Sequence, residues 1–266
     1  MPAIYSHDKF GKLVIKELSN DIKKVIKKYP SSFRIGLQGP DFMFFYRAFH
    51  KNKLNQLGRF YHHDDAYYFM EDAIDVIRIY GRNSPEYSYI LGFICHLALD
   101  DACHPFVTKF MKSTGCSHAE IEGDMEQLLI SMDGFAPSYY PVYELVPANY
   151  KTASSMEPFY KELTTQQIYK CLKWMRFLKK LFVAPSFIKR NTIYLIAKIT
   201  GQFKSFKGHV IEENPNVKCR KESVYLYKRM KTGVALALNL INAFNDSLDS
   251  DKTLSREFHR NFYKAL

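Results

Sequence analysis

The sequence predicts an all-α protein. Apolar residues recur at three- and four-residue spacing through most of the chain. Alternating runs joined by two-residue turns, the pattern of β-hairpins, are lacking. Ser, Asp, Gly and Pro fall between the periodic stretches, where helices start and stop. With 266 residues and 47% hydrophobic content the chain can bury a core. The expected architecture is a single multi-helix domain over 1–266.

From His7 to Tyr29, the residues Phe10, Val14, Ile15, Leu18, Ile22, Val25 and Ile26 make one amphipathic helix, stopped by Pro30 and Ser31-Ser32. Gly36, Gly39 and Pro40 form a turn, and Asp41 follows directly before the apolar run Phe42–Tyr46. An Asp in that place is an ordinary N-cap. It is also a rigidly held carboxylate beside the interior. Residues 51–60 read as a polar loop or helix end. His62 and His63 are adjacent, so at most one of them faces a given interior direction. Ala73, Ile74, Val76, Ile77 and Ile79 mark the next helix, which Asn83-Ser84-Pro85 ends.

The stretch GFICHLALDDACHPFVTKFMKSTGCSHAEIE, Gly92 to Glu122, carries the chemistry. His96, Asp100 and His104 stand at i, i+4 and i+8, one face of a helix. Pro105 should end or kink that helix near His104. Gly115 marks a turn, and Ser117 caps a second helix that presents His118 and Glu122 at i and i+4. A lone i,i+4 His–Asp pair is usually a surface contact. Here the face is embedded in Phe93, Ile94, Cys95, Leu97, Ala98 and Leu99. A charged Asp buried there costs several kcal/mol without a strong partner. Imidazole and carboxylate suit a borderline cation such as Zn²⁺.

Residues 134–147, Pro- and Tyr-rich, read as a surface loop or lid presenting Tyr139, Tyr140 and Tyr143. Residues 164–183 form a helix with Leu172, Met175, Leu178 and Leu181 inward, and residues 186–204 form another, ending near Gly201. Pro215 opens a loop. Residues 222–245 are the last long helix, with Val224, Met230, Val234 and Ile241. Trp174 is expected in the core.

Charge divides the chain. Residues 1–150 hold 16 Lys and Arg against 18 Asp and Glu; residues 151–266 hold 22 against 9. The first 130 residues are thus a metal-site half, and 151–266 a basic helical half suited to an anionic surface or substrate. Solvated lysine faces would show the same bias. The five cysteines form no CxxC pair and read as reduced core thiols. The start has no apolar stretch of the signal-peptide kind. No run of about 18 apolar residues suggests a membrane span. The expectation is a cytoplasmic chain with peripheral membrane association.

The order of candidates, with the blocks GPDFMFFY, YHHDDAYYF, GFICHLALDDACHPFV and HAEIEGD, resembles the bacterial zinc-dependent phospholipase C family, which shares its fold with the S1/P1 nucleases. The resemblance covers roughly residues 1–130. It implies an all-α fold with two or three zinc ions. Asp41, His62, His96 and Asp100 would hold one, and His104, His118 and Glu122 a second. His7 and a bridging Asp100 would hold the third. His62 is taken over His63 from its distance to Phe69 in the motif. In the family an N-terminal Trp also binds the third zinc; no Trp stands near this start, and Pro2 is the nearest substitute. The resemblance assigns Asp41 as both ligand and the group that handles the attacking water. It implies a phosphoric diester hydrolase with a phospholipid or other phosphodiester substrate. Nucleic acid fits less well: the related nucleases carry a Gly before the helix Asp and further His after it, where this chain has Leu99 and Ala102. A metal-stabilised binding domain without catalysis is the third reading.

Overall fold

The computed structural model describes residues 4–48, 50–201, 203–249 and 253–263. The described residues contain no β-strand, and the fold is all-α. The first expected helix is two, α1 (Ile4–Glu17) and α2 (Asn20–Lys28). Ser19 makes the break, its hydroxyl accepting the Ile22 N–H at the N-terminus of α2. Pro30 does not only stop α2. It stands at the first position of α3 (Pro30–Gly36), where its missing N–H costs no hydrogen bond. A 3₁₀ turn, Gly39–Asp41, leads into the short α4 (Phe42–Phe45).

The expected loop at 51–60 is a helix, α5 (Lys53–His63), capped by Asn52 and directing His62 inward. The apolar spacing there is sparse, and the cap outweighs it. Then come α6 (Ala66–Tyr80), capped by Asp65, and α7 (Pro85–Thr114), capped by Ser84. Pro105 does not end α7, which continues for nine further residues to Thr114. Pro105 lies on the exposed side. Having no N–H, it leaves only the Asp101 carbonyl, four residues back, without its helical partner. Gly115, at φ 68°, closes the helix in the left-handed conformation. Ser117 and Glu120 form a capping box that starts α8 (His118–Met132).

The remaining helices are α9 (Tyr150–Met156), α10 (Thr165–Phe182), α11 (Phe187–Ile199), α12 (Phe203–Lys207) and α13 (Arg220–Leu248). In α10 Leu172, Met175 and Leu178 point inward as expected, but Leu181 is exposed. Val224 and Ile79 are exposed as well: each lies past the edge of its helix's buried stripe. Residues 134–147 are not a raised lid. They form two 3₁₀ turns that bury Val142, Leu145 and Val146, and Tyr140 packs edge-on against Tyr5 at 4.8 Å. Tyr139 alone of the three tyrosines is mostly exposed. All five cysteines are buried free thiols, and Trp174 is half-buried against Tyr46.

α7 is the axis of the molecule. It is long and apolar enough to cross a membrane, but 83% of its apolar window is buried by the other helices. Against one side lies α3, backbone to backbone. A Cβ added at Gly36 would meet the Tyr89 carbonyl at 2.1 Å, and one at Gly92 the Phe33 carbonyl at 2.2 Å. That approach sets the turn after α3 directly over His96. α13 covers the other side, with Gly233 facing Ala102.

Candidate metal centre

Five chain segments deliver the eight expected residues to one place. α7 supplies His96, Asp100 and His104, and α8 supplies His118 and Glu122. α1 brings His7, whose helix is anchored where Glu126 accepts the backbone N–H groups of Tyr5 and Ser6. The 3₁₀ turn supplies Asp41 and α5 supplies His62. Gly39 makes this approach possible: its φ is 48°, and a Cβ there would stand 2.2 Å from the His96 ring.

The residues form three groups that can each hold an ion: His7, His96 and Asp100; Asp41, His62 and His96; and His104, His118 and Glu122. His96 belongs to two of them. Asp100 Oδ2 stands 3.3 Å from His96 Nε2, while Oδ1 stands 3.4 Å from His7 Nε2 and 3.6 Å from His104 Nε2. Glu122 Oε1 is 3.4 Å from His104 Nε2 and 2.7 Å from His118 Nε2. Asp41 Oδ1 is 2.8 Å from His62 Nε2. Asp41 makes no capping hydrogen bond to α4; its carboxylate is turned inward. His63 points out and stacks on Tyr263 at 5.0 Å.

The imidazoles are oriented from behind. His62 donates from Nδ1 to the Gly58 carbonyl at 2.7 Å and His96 to the Leu37 carbonyl at 3.1 Å; His104 donates to the Phe262 carbonyl. A carbonyl can only accept, so each Nδ1 carries a proton and each Nε2 faces the centre. Hydrogen bonds of this kind from the far ring nitrogen orient metal-binding histidines. Several contacts across the centre suit shared coordination better than hydrogen bonding. Ligand atoms about 2.0–2.1 Å from one tetrahedral ion are about 3.3 Å apart. His7 Nδ1, His96 Nε2, Asp100 Oδ2 and Glu122 Oε2 are buried and make no hydrogen bond among the described residues. The donor set and these atoms fit a cluster of borderline cations. Pro2, the expected substitute for the N-terminal ligand, lies outside the described residues.

Burial opposes charge on Asp100, His96 and His104, and the neighbouring groups work against it to different degrees. The His104 and His96 imidazoles hold the Asp100 carboxyl down at about 2. On His96 burial prevails and lowers it to about 3. Burial alone would lower His104, but the Asp100 and Glu122 carboxylates lift it to about 9. The metal-free centre therefore keeps a proton on His104 at neutral pH, and a cation taking Nε2 must displace it. Zinc binding is expected to release that proton below pH 9, with apparent affinity falling about tenfold per pH unit for each proton displaced. Calorimetric titration in buffers of different ionisation enthalpy reads the release directly. Buffer-independent heats at neutral pH would mean that His104 carries no proton.

Part of the surroundings escaped sequence reasoning. The segment 253–263 folds back over the centre. Phe262 packs against His62 at 4.9 Å and His96 at 5.2 Å, and Tyr263 against His104 at 5.3 Å. Arg260 pairs with Asp101 at 3.0 Å and His259 with Asp65 at 2.6 Å, tying the segment down. The aromatic pair Phe262-Tyr263 gave no periodic signal. Among the eight residues only His118 has appreciable exposure, 26% of its side chain. Phe93 and Phe262 also line a cavity of 230 Å³ whose other walls include Tyr61, Phe69, Asp72, Lys161 and Glu162; none of the eight residues lines it.

An all-α core holding three joined His/carboxylate groups defines a candidate multinuclear metalloprotein. The family of zinc dependent phospholipase C matches residues 6–184, and the chain belongs to it. No curated protein and no solved structure matches the chain.

Proposed function

We propose that the chain is a zinc-dependent phosphodiesterase that hydrolyses phospholipid head groups. The observation that carries this is the sharing of ligands: three candidate ion sites joined through His96 and the adjacent carboxylate of Asp100. Asp41, His62, His96 and Asp100 would hold one zinc, His104, His118 and Glu122 a second, and His7 with Asp100 a third. Zinc when bound supplies an acidified water and positive charge for a phosphoryl displacement. Asp41 is the proposed proton acceptor. It enters on its own turn, apart from the α7–α8 residues, and its Oδ1 lies 2.8 Å from His62 Nε2. Asp100, flanked by three imidazoles, is the proposed bridge that sets the spacing between sites.

The neighbouring cavity supports a cationic head group over nucleic acid. Its aromatic faces suit an ammonium group, while of its carboxylates Asp72 is paired with Lys161 at 2.6 Å and Glu162 accepts the Tyr61 hydroxyl at 3.0 Å. The five free thiols support a reducing compartment. The test is zinc analysis of protein purified without a metal-binding tag, followed by assays on phosphatidylcholine, phosphatidylethanolamine, a soluble phosphodiester and single-stranded DNA. The reading expects two or three zinc ions and chelator-sensitive release of phosphorylated head groups. Zinc without hydrolysis of any substrate would leave a metal-stabilised binding domain. Preferential cleavage of DNA would make it a nuclease.

A further inference from the structure

α11 is built the wrong way round for a helix that faces water. Phe187, Ile188, Leu195, Ile196 and Ile199 are each between 56 and 77% exposed. Ile188, Leu195 and Ile199 form one stripe, at i, i+7 and i+11, with Phe187 and Ile196 at its two edges. The opposite side faces the protein through Ala197, which is buried, and through Ile193 and Tyr194, which are half-buried. The helix is held in that orientation. Tyr194 donates its hydroxyl hydrogen to Glu212 at 2.7 Å, and Lys189 donates to the Val183 carbonyl at 2.6 Å. The outward apolar stripe is thus a feature of a docked helix, and it lies beyond the stretch that matches the family.

We infer that α11 is a membrane-docking helix that lies in the surface of an anionic phospholipid bilayer. The charges choose the occupant. α11 carries Lys189, Arg190 and Lys198 and no acidic residue. Basic groups flanking an apolar stripe are the pattern of interfacial helices, which bury the stripe below the headgroups and leave the cations among lipid phosphates. A second copy of this chain docked on the same face would bring its own basic flank against the first, like charge on like. The 13 residues of α11 are long enough to present the whole stripe to one plane. This inference stands apart from the proposed chemistry: a chain that hydrolyses nothing would dock in the same way.

The test is co-sedimentation of the full chain with vesicles of phosphatidylcholine alone and of phosphatidylcholine mixed with phosphatidylserine. The triple variant Ile188→Ser, Leu195→Ser, Ile199→Ser changes only exposed side chains, so it should keep its melting temperature and its rate on a soluble phosphodiester. Wild type should bind the mixed vesicles better, less so as salt rises, and the triple variant should bind them at least about a hundredfold more weakly. The inference is overturned if wild type ignores both kinds of vesicle, or if the triple variant binds like wild type. A wild-type dimer that the triple variant dissolves, with no vesicle binding, also overturns it and gives the face to a second copy. Loss of hydrolysis in every preparation would count against the proposed function and leave the docking result standing.

Discussion

Asp100→Asn protein is expected to lose zinc and turnover together. Asp100 sits at the middle of the ligand face of α7, within 3.6 Å of the imidazoles of His7, His96 and His104. No other carboxylate among the described residues reaches all three. Asn keeps the volume but removes the negative charge that offsets buried cations. Removing one partner of a buried ionic group costs about 3–5 kcal/mol, because the remaining charges are left uncompensated. Zinc content should therefore drop by at least about one ion per chain, and turnover on a soluble phosphodiester by about 10²–10³-fold or more. The melting temperature of the variant should also respond less to a chelator than that of wild type. Metal analysis, melting and rate on one preparation read all three. A variant with full zinc would end the bridging role of Asp100.

Asp41→Asn is expected to separate metal from activity. Asp41 reaches the centre from the 3₁₀ turn, and its group contains His62 and His96, which remain in the variant. Asn retains an oxygen that can bind a cation but cannot accept a proton. A positioned general base contributes about 10²–10⁴-fold, and turnover should fall by that factor while most zinc stays. The proton-accepting role also predicts that the acidic limb of the rate–pH profile changes in the variant. If Asp41→Asn kept full zinc and near-normal turnover, Asp41 would be a structural residue of the turn.

The candidate ligand set was largely legible because most of it obeys local rules. Four-residue spacing on a helix is a covalent periodicity, so His96, Asp100 and His104 share a face wherever the helix goes, as do His118 and Glu122. The apolar neighbours of Asp100 already implied a buried carboxylate, and it is buried. Other local signals were read incompletely. Ser19 and Asn52 both cap helices that weak periodicity hid. Pro105 looked like a stop, yet a long buried helix has enough packing to absorb one lost hydrogen bond.

The all-α class, the shared face of α7 and the grouping of candidate ligands along α7 and α8 follow from the sequence alone. Each depends on residues within a few turns of one another, where backbone geometry leaves little choice. Packing of distant segments was needed to turn Asp41 to the centre instead of capping α4 and to set the Phe262 carbonyl against His104. It also decided that the apolar side of α11 points outward. These outcomes depend on which surfaces meet: the glycine-mediated contact of α3 with α7, the return of segment 253–263 across the site, and the anchoring of Tyr194 on Glu212. Contacts between distant segments depend on complementary shape and buried polar partners, which no local periodicity encodes.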